Sequence, residues 1–484
     1  MARALPDLSD GDQRQLLAGR GVHYSVESGA EGDRFSKLTM DTPAVTTTRL
    51  PISSERPDTS GQTCSTVYSM TRRGLVAILL AAPLAFGAVE PWAWASMLLA
   101  SFALLTLWTI GSVRQRELKL HVSQLYAPAG LFLALSIVQL CGGITLDAYA
   151  TREAILKLVM VLVIFFVAGQ AFAGAPGDAW SELGLAVTLY AFALGLFAIL
   201  QFFSSHNLIY WSIRSRGWTF GPYVNHDDYA GLMEMLIPIA AGYVLTRPRK
   251  DPRRLLLALG LAVPVASELL SGSRGGFVSL LVEALLMGGI LWRRTSESRR
   301  RLKSTLLVGP AAAALLFFWI APGRVVSRLA ALANVAHTTE VTFGQRERAA
   351  RDTLRIFRDH PWLGIGLGSF NTVFPQYRTF PTDFGWAHAH NDYAEALAET
   401  GAAGGALIVL SLAMFFGLAF RQLPAGSADP AGWVRLGAAV GCCGLLVHSL
   451  VDFNLHIPAN AAWFAVCVAL ATTSCGAGKE RATF

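Results

Sequence analysis

"HAHNDYAEALAETGAAGGALIVLSLAMFFGLAF", His388–Phe420, begins as a polar knot and ends as an apolar run. Two histidines, Asn391 and Asp392 crowd its start, and Gly401, Gly404 and Gly405 separate them from the run that follows. A hydrocarbon core about 30 Å thick takes roughly 17–25 apolar residues per helix, so the second half is long enough to span a bilayer. The first half then sits at the mouth of that span, as the rim of a helix or as a reaction centre at a membrane surface.

The rest of the chain favours a membrane setting. Of 484 residues, 53% are apolar and only 15% charged, with a mean hydropathy of +0.43. Soluble domains carry about 25% charged residues, so composition argues against a soluble globular class. The net charge of +7 is no nucleic-acid signal, because multi-span proteins concentrate Arg and Lys at cytoplasmic helix ends. The six cysteines are scattered without ligand spacing and read as helix packing.

Apolar runs of spanning length fall near 73–90, 93–111, 125–143, 153–173, 182–203, 228–246, 255–271, 276–292, 304–321, 396–420, 436–453 and 459–475, which predicts twelve helices. Basic residues fill the links at Arg72, Arg114, Arg247, Arg293 and Arg421, and the C-terminal "KERATF". With alternating helices these lie on one side, which places both termini in the cytoplasm. The expected class is an all-α integral membrane protein of about twelve transmembrane helices, with one large periplasmic loop bearing short amphipathic helices. Its expected divisions are a disordered extension over 1–69, spans one to nine over 70–321, a catalytic outer loop over 322–391, spans ten to twelve over 392–475, and a tail over 476–484. Residues 1–69 are rich in Ser, Thr, Asp, Gly and Pro and read as unable to support a core. "MTRRGLVAILLAAPLAFG" from Met70 resembles a membrane-protein start, so translation is expected to begin there.

The outer loop holds eight arginines, at 324, 328, 346, 348, 351, 355, 358 and 378, and no lysine, against five acids. The guanidinium fork binds two phosphate oxygens at once, so arginine without lysine suggests a diphosphate ligand. Other polar clusters fall on the same face. "RSRGWTFGPYVNHDDYAG" carries Arg214 and Arg216 and ends in Asn225, His226, Asp227 and Asp228, suited to cap a helix start. "SGSRGG" places Arg274 among small residues beside apolar helices, where an arginine usually faces a cavity or an anion. In "HSLVDFNLHIPAN", His448, Asp452 and His456 recur every four residues. They share one face if a helix persists that far, and with His388 and His390 they suggest a metal. No HExxH or cysteine ligand supports that, so a stabilising role at a helix end is favoured and no metal or other cofactor is expected.

In order, "RGWTFGPYVNHDDYAG", "SGSRGG", "DHPWLGIGLGSF" and "HAHNDYAEALAETGAAGG" resemble the O-antigen ligase and polymerase superfamily of bacterial envelope enzymes, over roughly 75–475. The family pattern of His, then Asn, nine residues, Gly, two residues, Gly is met by His390, Asn391, Gly401 and Gly404. The resemblance implies an inner-membrane glycan transferase that works without a metal. It would move a saccharide from undecaprenyl-diphosphate to an acceptor hydroxyl at the periplasmic face. That acceptor could be lipid A-core, a growing glycan or a protein. It makes His390 the catalytic base and Arg216 a donor-binding residue, with Arg274, Arg346, Arg214, His388 and Asn391 as further substrate contacts. The chemistry agrees: histidine takes protons near neutral pH, and guanidinium groups stabilise a departing diphosphate. A polysaccharide flippase or other transporter is the alternative. Against it, the polar residues gather on one face instead of at mid-membrane.

Overall fold

A computed structural model describes residues 59–114, 120–215, 218–248, 250–294, 343–382, 385–421, 424 and 429–473. Among these residues the protein is almost wholly helical. The helices are α1 Thr59–Leu84, α2 Pro91–Arg114, α3 Tyr126–Cys141, α4 Ala148–Phe172, α5 Gly177–Ser204, α6 His226–Thr246, α7 Pro252–Gly260, α8 Ala262–Ser271 and α9 Arg274–Arg294. They continue with α10 Phe343–Asp359, α11 Phe370–Val373, α12 Asp392–Ala419, α13 Pro430–His448 and α14 Pro458–Thr472. A two-residue hairpin, β1 Leu208–Ile209 with β2 Ile213–Arg214, follows α5.

Nine helical segments among the described residues are long and apolar enough to cross a membrane, with α7 and α8 counting as one; α3 and α14 are shorter apolar helices. This is a multi-pass membrane protein. Eleven of the expected runs correspond to these helices; the run at 304–321 lies outside the described residues, as does Arg216. The first helix starts at Thr59, ahead of the Met70 boundary expected for the extension. The reason is packing: Val67 is buried beside Gly111 of α2, and the Thr71 hydroxyl donates to the Val67 carbonyl at 2.9 Å.

Helices α6 and α13 form the centre, each with 83% of its apolar window buried, whereas α12 has 17% and α9 22%. A helix apolar all round has no inside face of its own, so packing partners choose which ones sit in the middle.

The stretch 343–391 makes a second structure with its own small core. Helix α10 buries Ala349, Asp352, Thr353 and Ile356, a stripe at helical spacing, and exposes Arg348, Arg351, Arg355 and Arg358. Behind that stripe pack Phe370, Phe374, Phe380, Trp386 and Ala389. Phe370 and Phe374 stack at 4.7 Å, and Phe380 meets Trp386 edge-on at 5.0 Å.

"DHPWLGIGLGSF" fastens this unit to α12, which is broken at Gly401 (φ 64°, ψ −165°). The Ala398 and Glu399 carbonyls, which lose helical partners there, accept from Ile365 N–H and Gly366 N–H at 3.0 Å each. On the far side of the break, Ala402 N–H and Ala403 N–H donate to the Pro361 and Trp362 carbonyls at 2.7 and 3.1 Å. The break thus leaves these backbone groups paired, as buried backbone requires. A side chain at 401 would strike the Trp362 backbone in addition to being strained. Buried Gln139 of α3 completes the joint, donating to the Leu363 and Glu399 carbonyls and accepting from Leu367 N–H.

Candidate functional site

The segment Trp386–Asn391 leaves the aromatic core and enters α12, and five contacts fix it. Asn391 caps α12, its side chain accepting from Ala394 N–H at 2.9 Å and donating to the Leu450 carbonyl at 2.8 Å. Asp392 N–H donates to the Ser449 carbonyl at 3.0 Å. Trp386 and Phe453 meet the His390 ring edge-on at 5.4 and 4.9 Å. His390 has φ +50°, in the left-handed region that is uncommon for residues other than glycine. Strain of this kind persists where surrounding structure over-determines it and gathers at active sites.

His390 Nδ1 lies 3.1 Å from Asp452 Oδ1. Asp452 is fully buried, and Phe453 N–H donates to the same oxygen at 3.0 Å. Its other oxygen lies 3.8 Å from Arg346 Nη1 and 3.9 Å from His448 Nε2. Arg346 donates from Nη2 to Asp227 Oδ2 at 2.6 Å and from Nη1 to the Val451 carbonyl at 2.9 Å. Asp227 in turn lies 3.1 Å from His226 Nδ1, and the His226 ring packs against Trp218 at 4.7 Å. Four polar clusters far apart in sequence thus meet in one chain of charges. A buried carboxylate is tolerated because cationic and hydrogen-bonding partners surround it.

"SGSRGG" contributes differently from expectation. Ser273 Oγ stands 3.4 Å from His448 Nε2, and a Cβ on Gly275 would collide with the His448 ring, so this motif wraps that histidine. His448 Nδ1 meets Glu234 Oε1 at 2.6 Å, both side chains fully buried.

On the other side of the loop, His388 Nδ1 lies 2.9 Å from Glu395 Oε1 and its ring stacks on Phe453 at 4.6 Å. Glu395 Oε2 accepts from Ala389 N–H at 2.7 Å. His456 places Nδ1 2.8 Å from Asp392 Oδ1 and Nε2 3.3 Å from Glu395 Oε1. Burial opposes charge on His456, but the Glu395 carboxylate and the Asp392 hydrogen bond outweigh it, and its pKa is raised to about 10.

Of the site residues read from sequence, His390, His388, Asn391 and Arg346 come together. Arg274 begins α9 with an exposed side chain, and Arg214 is exposed on β2. The condition under which His448, Asp452 and His456 would share a helix face, a helix that persists to 456, is not met: α13 ends at His448, and a turn and the short 3-10 helix Asn454–His456 precede α14. The Ser449 and Asp452 carbonyls point at Asp392 N–H instead of continuing a helix. His456 therefore faces Asp392 and Glu395, while His448 and Asp452 stay 3.9 Å from each other. Sequence reasoning missed Asp452, Asp227 and Glu395 as partners of the histidines, since their pairing depends on contacts between separate helices. Expected capping by Asn225 is found, its side chain accepting from Asp227 N–H at 3.1 Å.

No curated protein matches the chain. Residues 255–409, which include Arg274, Arg346, His388 and His390, match the family model Wzy_C, O-antigen ligase, so this stretch carries the domain of the family its motifs resemble.

Proposed function

We propose that this protein transfers a saccharide from undecaprenyl-diphosphate to an acceptor hydroxyl at the periplasmic face of the bacterial inner membrane, with both termini cytoplasmic. The observation that carries the reading is the His390–Asp452 pair at 3.1 Å on a strained residue. Asp452 accepts from Nδ1–H, which holds the imidazole in the tautomer whose Nε2 bears the lone pair. That nitrogen takes the acceptor proton as the acceptor oxygen bonds to the anomeric carbon. The bond from that carbon to the phosphate oxygen breaks, and the diphosphate leaves with the electron pair. Arg216, Arg274 and Arg214 are the guanidinium groups proposed to receive it, with His388 and Asn391 lining the acceptor side. Arg346 acts in this reading mainly through Asp452 and Asp227, because both its terminal nitrogens already face protein oxygens. The proton transfer needs no metal. Ligation to lipid A-core, polymerisation of repeat units and transfer to a protein hydroxyl share this chemistry.

A purified sample given a lipid-diphosphate-linked saccharide and candidate acceptors tests it: label should pass to the acceptor in wild type and not in His390→Ala. Of Arg216→Lys and Arg274→Lys, at least one should slow transfer, since lysine keeps the charge and loses the fork. A single cysteine at exposed Asn371 should react with an impermeant thiol reagent in intact cells while one at Ser298 stays protected. The reverse pattern would overturn the orientation.

A transporter is the second reading. Glu268 and Glu283 are buried among the helices, and their carboxylate oxygens have no hydrogen-bond partner among the described residues. Intramembrane acids of this kind mark ion or proton paths in transporters. Acceptor-independent movement of the lipid-linked glycan across a vesicle, lost in Glu283→Gln and kept in His390→Ala, would favour it.

A further inference from the structure

The His388 side of the loop brings three ligand atoms together. His388 Nδ1, a Glu395 carboxylate oxygen and a His456 ring nitrogen all lie within 4.8 Å of one another. Two of the separations are 2.9 Å and 3.3 Å. Donors around a tetrahedral zinc stand about 3.3 Å apart, given bonds of roughly 2.0–2.1 Å.

The surroundings are built as such a centre requires. A metal-bound histidine donates its other N–H to a carboxylate, which fixes the tautomer and strengthens the ligand. His456 meets this condition with Nδ1 on Asp392 Oδ1 at 2.8 Å. Asp392 is itself held, its Oδ2 accepting from Leu455 N–H at 3.2 Å. Glu395 is aimed by the Ala389 amide on Oε2, which leaves Oε1 between the two rings. With Nδ1 committed to Asp392, the His456 Nε2 atom faces an anionic oxygen, and a proton or a cation must lie between them. The two histidines are 29% and 27% exposed, so an ion can reach the site.

A second group, Asp227, His448 and Asp452, has similar spacing. It is fully buried, and Arg346 already lies against both acids while Glu234 holds His448. A cation there would meet a guanidinium. Among the described residues the open cluster makes no ion pair with an arginine, and two of its three ligands are the borderline nitrogen donors that zinc prefers.

We infer that His388, Glu395 and His456 form a binding site for a divalent transition-metal cation of the zinc type, with Asp392 supporting His456 and one coordination position open to water or a substrate oxygen. The ion replaces the proton between His456 and Glu395 and joins the segment before α12 to the turn before α14. Its ligand His388 is two residues from His390, and the site is separate from the base proposed above. Its occupancy does not depend on the glycan-transfer reading.

The full chain, purified in detergent and stripped with chelator, is titrated with Co2+, whose visible absorption reports low-coordinate nitrogen and oxygen ligation, and then with Zn2+ in competition. Wild type should take up one equivalent of Co2+ with a visible band that Zn2+ displaces. His388→Ala and His456→Ala should each abolish the saturable band, and Asp392→Asn should weaken binding about 10- to 100-fold. His360→Ala, outside the cluster, should bind as wild type. His388→Gln, which keeps a polar side chain at a partly exposed position, replaces either alanine variant that fails to purify. Absence of saturable binding in wild type, or unchanged affinity when His388 and His456 are replaced, overturns the site. Transfer activity is not the readout, so failure of the glycan reading leaves this result interpretable.

Discussion

His388 and His390 stand two residues apart on one loop, yet their surroundings differ in kind. His390 meets a carboxylate that is also approached by Arg346 and His448, so one acid is shared among cationic partners deep beneath the loop. His388 meets a carboxylate flanked by a second histidine and a second acid, closer to the surface. The first arrangement orients one ring and leaves its other nitrogen for proton transfer. The second gathers nitrogen and oxygen donors around one point. The same "HAH" tripeptide therefore presents two chemistries, because the chain bends at both histidines and His390 has a left-handed backbone, so the two rings meet different carboxylates.

The largest expected effect lies on the His390 side. His390→Ala should reduce transfer by about 100- to 10,000-fold, the usual contribution of general acid–base catalysis. His388→Ala should cost clearly less in the same assay. Equal losses would erase the distinction between the two histidines. Next comes Asp452→Asn. An amide at that position can donate to Nδ1 and leave the proton on Nε2, so transfer should fall about 100-fold or more while the protein level stays normal. Wild-type rates in Asp452→Asn would show that the pairing is structural only.

Arg346→Lys probes the link between Asp227 and Asp452. A lysine cannot reach both acids as a fork does, so transfer should fall about tenfold, equivalent to roughly 1.4 kcal/mol in the barrier. A rise in KM at constant kcat would instead assign Arg346 to donor binding. Two smaller tests concern the scaffold that holds both histidines. Gly401→Ala puts a side chain at φ +64° against the Trp362 backbone, and strained backbone of this kind costs about 1–3 kcal/mol. Thermal unfolding in detergent should show it, and an unchanged midpoint would mean that the joint can rearrange.

Asp147 gives the smallest effect. It caps α4 by accepting from Tyr149 N–H and Ala150 N–H, and Thr372 of α11 donates to it at 2.7 Å. The Ala150 amide and then the Thr372 hydroxyl hold its pKa below the ordinary carboxylate value. A lowered folded pKa means that the stabilisation is present above the unfolded value and is lost as pH falls through the folded one. Asp147→Ala should cost about 1 kcal/mol near neutral pH, as helix caps do. The gap to wild type should close in acid; a gap that widened there would contradict the pairing.

The unit built on α10 also shows where sequence reading stops. Amphipathic spacing exposes α10, and the stripe at Ala349, Thr353 and Ile356 is legible in the sequence. That Arg346, one of eight loop arginines, turns inward is not legible, since its partners, Asp227 of α6 and Asp452 of the turn after α13, lie more than a hundred residues away in either direction. At 448–456 the four-residue repeat of polar groups would make one helix face only if the helix persisted, and it ends at His448. The chain turns there because Asp392 N–H takes the carbonyls of Ser449 and Asp452.

What the sequence by itself determined is what solvent transfer determines: which runs enter the membrane, which loops carry charge, which residues cap helices, and a family motif centred on His390. These are local properties, decided by each segment's own hydrophobicity and hydrogen-bonding capacity. Only the tertiary structure decided that Asp452 serves His390, that Glu395 stands between His388 and His456, and that "DHPWLGIGLGSF" fills the break at Gly401. Buried polar groups must find partners wherever packing places them, and packing among apolar helices leaves little trace in the order of residues along the chain.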